Sequence, residues 1–182
     1  MDISRKDTID LNGKNVTVIG LARSGVAAAQ LAYELGANVF ISDMSDSEEV
    51  QNALKKLINQ GMAGETGGHT EKIHEADLWI ISPGVPKDSD IIINAQDNNI
   101  PIVSEIEFAS WFTMAPILAV TGSNGKTTTV HMLYEMCKTD DVDPVLSGNV
   151  GSPFADVVRN DLTDHNPDRV HVLEISSFQM EF

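Results

Sequence analysis

Short apolar runs alternating with helical periodicities set the plan of this chain. Val16-Thr17-Val18-Ile19 reads as a strand, followed by a glycine-bearing turn and a small-residue helix over 24–35 that Gly36 ends. Val39-Phe40-Ile41 is a second strand, closing at Ser42-Asp43. Ser47 is placed to cap the next helix, with Glu48 and Glu49 in its first turn and Gly61 as its stop. Leu78-Trp79-Ile80-Ile81 is another strand, turned by Ser82-Pro83-Gly84, and a helix over 91–98 and a short strand at Ile102-Val103 follow. A new cycle then begins: a strand over 116–120, a helix over 126–138, a short strand at Val145-Leu146, and a strand over 170–173. Strands alternating with helices predict α/β architecture with parallel sheets. The expected division is a Rossmann-like domain over 1–104 and, through a connector over 105–112, the first part of a P-loop ATPase-type α/β domain over 105–182.

Composition narrows the classes. At 42% hydrophobic and 21% charged residues the chain can bury a real core, and its formal charge of −15 opposes nucleic acid and anionic membranes as partners. No apolar stretch is long enough to span a bilayer, and the charged start is unlike a secretory leader, so a cytoplasmic monomer is expected. Cys137, the one cysteine, shares an apolar helical face with Val130, Leu133 and Tyr134 and reads as packing. His69, His74 and His131 lack the spacing of a metal set and read as solvated or structural.

The chemistry is concentrated in two glycine loops. Thr121-Gly122-Ser123-Asn124-Gly125-Lys126-Thr127-Thr128-Thr129 lies between a strand and a helix, where converging backbone N–H groups and a helix N-terminus attract phosphate. Lys126 adds a mobile charge for the β- and γ-phosphates, and Thr127 a hydroxyl for Mg²⁺. Val120 stands where the usual pattern has its first glycine, so the loop is a shortened variant. Glu174 ends an apolar strand, a position from which an acid can complete the metal site. The other loop, Gly20-Leu21-Ala22-Arg23-Ser24-Gly25, comes close to a dinucleotide fingerprint with Asp43 beyond it, which keeps an NAD-dependent oxidoreductase domain open. Ala22 in place of the middle glycine weighs against that reading, as does the second phosphate loop.

Residues 121–129 resemble the ATP loop of the Mur ligases. Leu173-Glu174-Ile175-Ser176-Ser177-Phe178-Gln179-Met180-Glu181 and Gly148-Asn149-Val150-Gly151-Ser152-Pro153 are similar to segments of the D-glutamate-adding branch of that family. The resemblance covers essentially the whole chain and corresponds to the first part of such a ligase. It implies an ATP- and Mg²⁺-dependent amide ligase of peptidoglycan precursor synthesis, joining D-glutamate to UDP-N-acetylmuramoyl-L-alanine through an acyl phosphate. Carried over residue by residue, it gives ATP the segment Gly122, Ser123, Asn124, Gly125, Lys126, Thr127 and Thr128. Lys126 and Glu174 become the catalytic pair, and Thr127 and Glu174 the metal ligands. Arg23 and Ser24 would meet the diphosphate, Asp43 and Gly84 the uridine, and Asn149, Ser176 and Gln179 the diphosphate or sugar. Ser45 stands where some members carry arginine, and no contact is assigned to it. The family's later metal-binding histidine, its modified lysine and its C-terminal domain have no counterpart before Phe182. A fragment without ligase activity of its own is therefore expected, with a stand-alone UDP-sugar-binding module as the alternative.

Overall fold

The computed structural model describes residues 9–164 and 166–180. Strand β1 (Asn15–Ile19) begins a parallel sheet with β2 (Asn38–Asp43), β3 (Ala63–Thr66), β4 (Leu78–Ile81) and β5 (Ile102–Ser104), in the order β3-β2-β1-β4-β5. Both faces are covered, so the central strands bury almost every residue. Val16, Val18, Leu78 and Ile80 face a core shared with α1 (Arg23–Glu34) and α2 (Glu48–Asn59). Ile19, Trp79 and Ile81 enter a second core with α3 (Asp90–Asp97). Two polar groups within this layer share one acceptor: the Trp79 indole N–H and the Thr17 hydroxyl both donate to the Ile73 carbonyl, at 2.7 and 3.1 Å. The strand order reverses between β1 and β4, and such a switch point opens a crevice at the strands' carboxyl ends.

The segment expected to be a connector forms α4 (Glu105–Ser110), whose Phe108 and Ala109 are fully buried and whose N-terminus Ser104 caps through the Glu107 N–H. Beyond it, β6 (Ile117–Val120), β7 (Asp143–Gly148) and β8 (Arg169–Glu174) form a second parallel sheet in the order β6-β8-β7. Helix α5 (Lys126–Cys137) packs over this sheet, with Val130 buried and Cys137 half-buried. Helix α6 (Phe154–Asp161) packs along α1, where Ala28, Ala29 and Ala32 leave room for close approach, and also against α4 and β7. Phe154, Ala155, Val158 and Leu173 accordingly belong to the same apolar core as Val16 and Leu31.

Two elements besides α4 escaped the sequence pattern. β3 is an edge strand, Ala-Gly-Glu-Thr, with no apolar run to mark it. α6 carries Asp156, Arg159, Asn160 and Asp161 among its apolar residues and is only 8 residues long, so its periodicity is brief.

Candidate functional site

At the crevice lies a cleft of about 850 Å³, lined from β1 and its loop, from the ends of β2 and β4, and from the second unit. Arg23, Ser24, Asp43, Gly84, Asn149 and Gln179, expected from sequence as substrate contacts, all line it. The loop after β1 is held by close packing, for a Cβ on Gly25 would stand 1.9 Å from the Gly20 carbonyl oxygen. Asp43 fixes the same loop from β2: Oδ2 accepts from the Leu21 N–H at 2.6 Å and Oδ1 from the Ser45 N–H at 2.7 Å. The Arg23 guanidinium, at the start of α1, donates to the Gly151 carbonyl and so ties the first loop to the loop between β7 and α6. Ser176 is not part of the cleft wall. Its N–H donates to Gln179 Oε1 at 2.9 Å and its hydroxyl accepts from the Gln179 N–H at 3.4 Å, which orients Gln179 instead.

The second glycine loop lies outside this cleft. Residues 122–125, Thr127 and Thr128 are exposed at the head of α5, which Gly125 opens in the left-handed conformation without a side-chain cap. The first N–H groups of that helix are therefore free of side-chain competition for an anion. Lys126 folds back, donating to the Gly122 carbonyl at 2.7 Å, so it must exchange that partner to reach a phosphate. Glu174, at the end of β8, is 1% exposed. Burial pushes its carboxyl pKa up, but hydrogen bonds from Asn149 and Thr127 and the electrostatic influence of Lys126 and His131 outweigh this and hold it below the ordinary value. Asn149 Nδ2 donates to Oε1 at 2.7 Å, while Oε2 is buried with no partner. A buried, ionised and unpaired carboxylate oxygen beside a threonine hydroxyl suits a hard divalent cation such as Mg²⁺. Thr127 and Glu174 fit that ion, although no cluster of three acidic, histidine or cysteine ligands exists among the described residues. Gly148 lets the asparagine loop come this close, since a Cβ there would meet the Glu174 carbonyl oxygen at 2.5 Å.

Two cleft residues were not expected there from sequence: Glu105 fell in the connector, and His69 read as solvated or structural. Glu105 is 2% exposed, and its Oε1 accepts from the Ala155 N–H at 2.6 Å, at the N-terminus of α6. Burial raises its pKa from 4.5 to about 7, against the lowering effect of the Ala155 and Phe154 N–H groups. His69 lines the cleft beside Asp43, with Nδ1 2.7 Å from the Ser42 hydroxyl. His74, His131 and His171 make local contacts away from the cleft. His74 stacks on Trp79, and His131 bonds the Thr127 carbonyl one turn back. His171, on β8, is wholly buried against Phe154 with Nε2 3.0 Å from the Thr113 hydroxyl.

Residues 14–104 match the family model "Mur ligase MurD-like, N-terminal domain", and residues 120–181 match "Mur ligase middle domain". The UDP-N-acetylmuramoylalanine–D-glutamate ligase of Chlorobium limicola is 39% identical over 177 residues, covering 95% of this chain and 37% of that protein. The enzyme of the same name from Salinibacter ruber is 41% identical over 170 residues, covering 91% of this chain and 36% of its own length. The chain thus spans a little over a third of the curated relatives it matches. Among solved structures, a murein peptide ligase from Psychrobacter arcticus superposes with a TM-score of 0.53 at 19% identity, covering 91% of this chain and 39% of that one. The UDP-N-acetylmuramate:L-alanyl-gamma-D-glutamyl-meso-diaminopimelate ligase of Neisseria meningitides gives 0.51 at 19% identity over 90% of this chain and 52% of its own. At that identity these two superpositions establish fold alone.

Proposed function

The chain belongs to the Mur ligase family, and from that premise we propose that it forms the UDP-substrate cleft and the ATP loop of a D-glutamate-adding ligase. The observation that carries the reading is the buried Glu174, its Oε2 unpaired, between the Thr127 hydroxyl of the phosphate loop and Asn149 of the cleft wall. What supports the reading is that this junction links the loop of residues 122–128 to the wall of the cleft through Asn149. The chemistry suits the arrangement. A carboxylate is a poor acyl donor until an oxygen is phosphorylated, so the alanyl carboxylate of UDP-N-acetylmuramoyl-L-alanine attacks the γ-phosphorus of ATP and ADP leaves. The amine of D-glutamate then attacks the acyl carbon, losing a proton and expelling phosphate to leave the amide.

In this scheme Arg23 and the N–H groups of the first loop hold the diphosphate, and Asp43 and Gly84 flank the uridine. Asn149 and Gln179 orient the sugar side. Lys126, released from Gly122, neutralises the transferring phosphoryl group. Bound between Thr127 and Glu174, Mg²⁺ would supply further charge neutralisation at the phosphates. ATP chemistry of this kind belongs in the cytoplasm.

The alternative of a nicotinamide-binding domain draws on the near-fingerprint of the first loop. Ala22, however, puts an exposed methyl group at the position where a pyrophosphate must approach the backbone closely. Calorimetric titration separates the readings: uridine diphosphate binds more tightly than NAD, whereas tighter binding of NAD refutes the proposal. In the same protein, pyrophosphate with Mg²⁺ binds weakly at the loop and Lys126→Ala abolishes it. Undiminished pyrophosphate binding by that variant removes Lys126 from the site.

A further inference from the structure

We propose that His69 reads the base of the bound nucleotide, its Nε2 lone pair accepting the imide N–H of uracil and rejecting cytosine. The assignment rests on the reading of the cleft as a UDP site and adds the residue that selects the base.

The argument begins one layer below the cleft. Glu65, on β3, accepts from the Thr70 N–H at 2.8 Å and the Thr70 hydroxyl at 2.7 Å. Burial alone would raise its pKa, but these bonds, that from Ser42 and the nearby His69 keep it below the ordinary carboxylate value. An ionised carboxylate can only accept, so the Ser42 hydroxyl, 2.9 Å away and fully buried, gives it its single proton. The Ser42 oxygen then faces His69 Nδ1, 2.7 Å off, as an acceptor, which requires the imidazole proton to be on Nδ1. Burial presses the His69 pKa below its usual value, against the charges of Glu65 and Asp43 that act on it, so the ring is neutral at pH 7. A neutral imidazole has one N–H. Nε2 is therefore a lone pair, and it has no partner among the described residues.

His69 shares this end of the cleft with Asp43, whose two oxygens are already engaged by backbone N–H groups. The wall thus offers acceptors to whatever base enters. Uracil presents N3–H. Cytosine presents an N3 lone pair in the same place, which would face the Nε2 lone pair. The chain Glu65–Ser42–His69 acts by fixing a tautomer, as a second hydrogen bond fixes which ring nitrogen of a histidine is protonated. An Asp or Glu in place of the histidine could not be switched by mild acid, so pH gives an independent readout.

Titration with uridine diphosphate and cytidine diphosphate at pH 7.5 tests the assignment. The expected preference for the uridine nucleotide is about tenfold, the scale of one buried hydrogen bond made or opposed. His69→Ala should bring uridine diphosphate down to the cytidine value while leaving the latter nearly unchanged, and His69→Gln, with a carbonyl acceptor, should restore part of the preference. As pH falls through the His69 titration, protonated Nε2 turns from acceptor to donor, so the preference shrinks in the native protein and not in His69→Gln. Long-range proton–nitrogen spectra should show Nδ1–H in the free protein and a shifted Nε2 signal when uridine diphosphate is added. Unchanged discrimination in a folded His69→Ala protein overturns the assignment and leaves the UDP reading standing, as does an Nε2–H tautomer in the free state. Failure of both nucleotides to bind overturns the UDP reading and this assignment with it.

Discussion

Glu105 carries the clearest pH signature of any single residue. Its carboxyl is buried, and its pKa is raised to about 7 in the folded chain, whereas an unfolded chain returns it near 4.5. The sign follows from proton binding. The folded state holds the proton more tightly, so the contribution to stability is full below pH 4.5 and is lost as pH rises through about 7. At 1.36 kcal/mol per unit, the loss amounts to about 3 kcal/mol by pH 8. His69 and His171, with depressed pKa values, give an opposite slope below about pH 6.5, so the comparison must be between variants. Glu105→Gln keeps an acceptor for the Ala155 N–H and removes the titration. Denaturant unfolding should find the variant as stable as the native chain at pH 5 and more stable at pH 8; an identical pH slope in both proteins would rule Glu105 out. At this scale the candidate site was legible where its residues are contiguous. Gly122 to Thr128 announce themselves within one loop, and Glu174 ends an apolar strand. Glu105 and His69 do not, because their meaning comes from partners 50 and 27 residues away.

At the scale of elements, the strands that could be read from sequence are those with mostly buried, mostly apolar runs, such as β1, β4 and β8, broken only by Thr17 in β1 and His171 in β8. β3 pairs only with β2 at the sheet edge and is stabilised by its neighbours rather than by its own composition. α6 is a similar case, since its apolar side is completed by the alanines of α1. Arg159 on α6 adds an ion pair to Glu34 of α1 at 3.4 Å, but both side chains reach solvent and the pair is worth little beside the apolar contact. The Phe154 ring is the larger contributor: it is fully buried and meets the His171 ring at 5.0 Å between centroids. Phe154→Ala should lower the unfolding free energy by about 3–5 kcal/mol through lost burial and the cavity left behind. A change below about 1 kcal/mol, read from denaturant midpoints, would mean that α6 closes over the gap and that its packing is not specific.

For the whole molecule, the shared core has a consequence for cooperativity. Because Phe154, Ala155, Val158 and Leu173 are continuous with the apolar cluster beneath the first sheet, the two sheets are expected to unfold together. Tryptophan fluorescence from Trp79 and Trp111 and amide exchange along β8 should give one midpoint, and two separated transitions would refute a common unit. A sequence divided at 104 does not disclose this, since the division follows the strand pattern while the core is closed by helices crossing it. The same continuity bears on how the two binding regions communicate. Asn149 stands in the cleft wall and also holds Glu174 through one of its two amide hydrogens. On the proposed function, a cation on Glu174 and a diphosphate in the cleft would each immobilise that one side chain, so whichever arrived second would find the ordering cost already met. Their opposite charges act in the same direction. Occupancy at either place should therefore raise affinity at the other, by a factor that is identical in both directions because the thermodynamic cycle must close. Titrating uridine diphosphate with and without Mg²⁺, then Mg²⁺ with and without uridine diphosphate, measures the factor twice. Asn149→Ala should lower both values equally and leave only the part due to charge, and the part lost is then the share carried by a single amide.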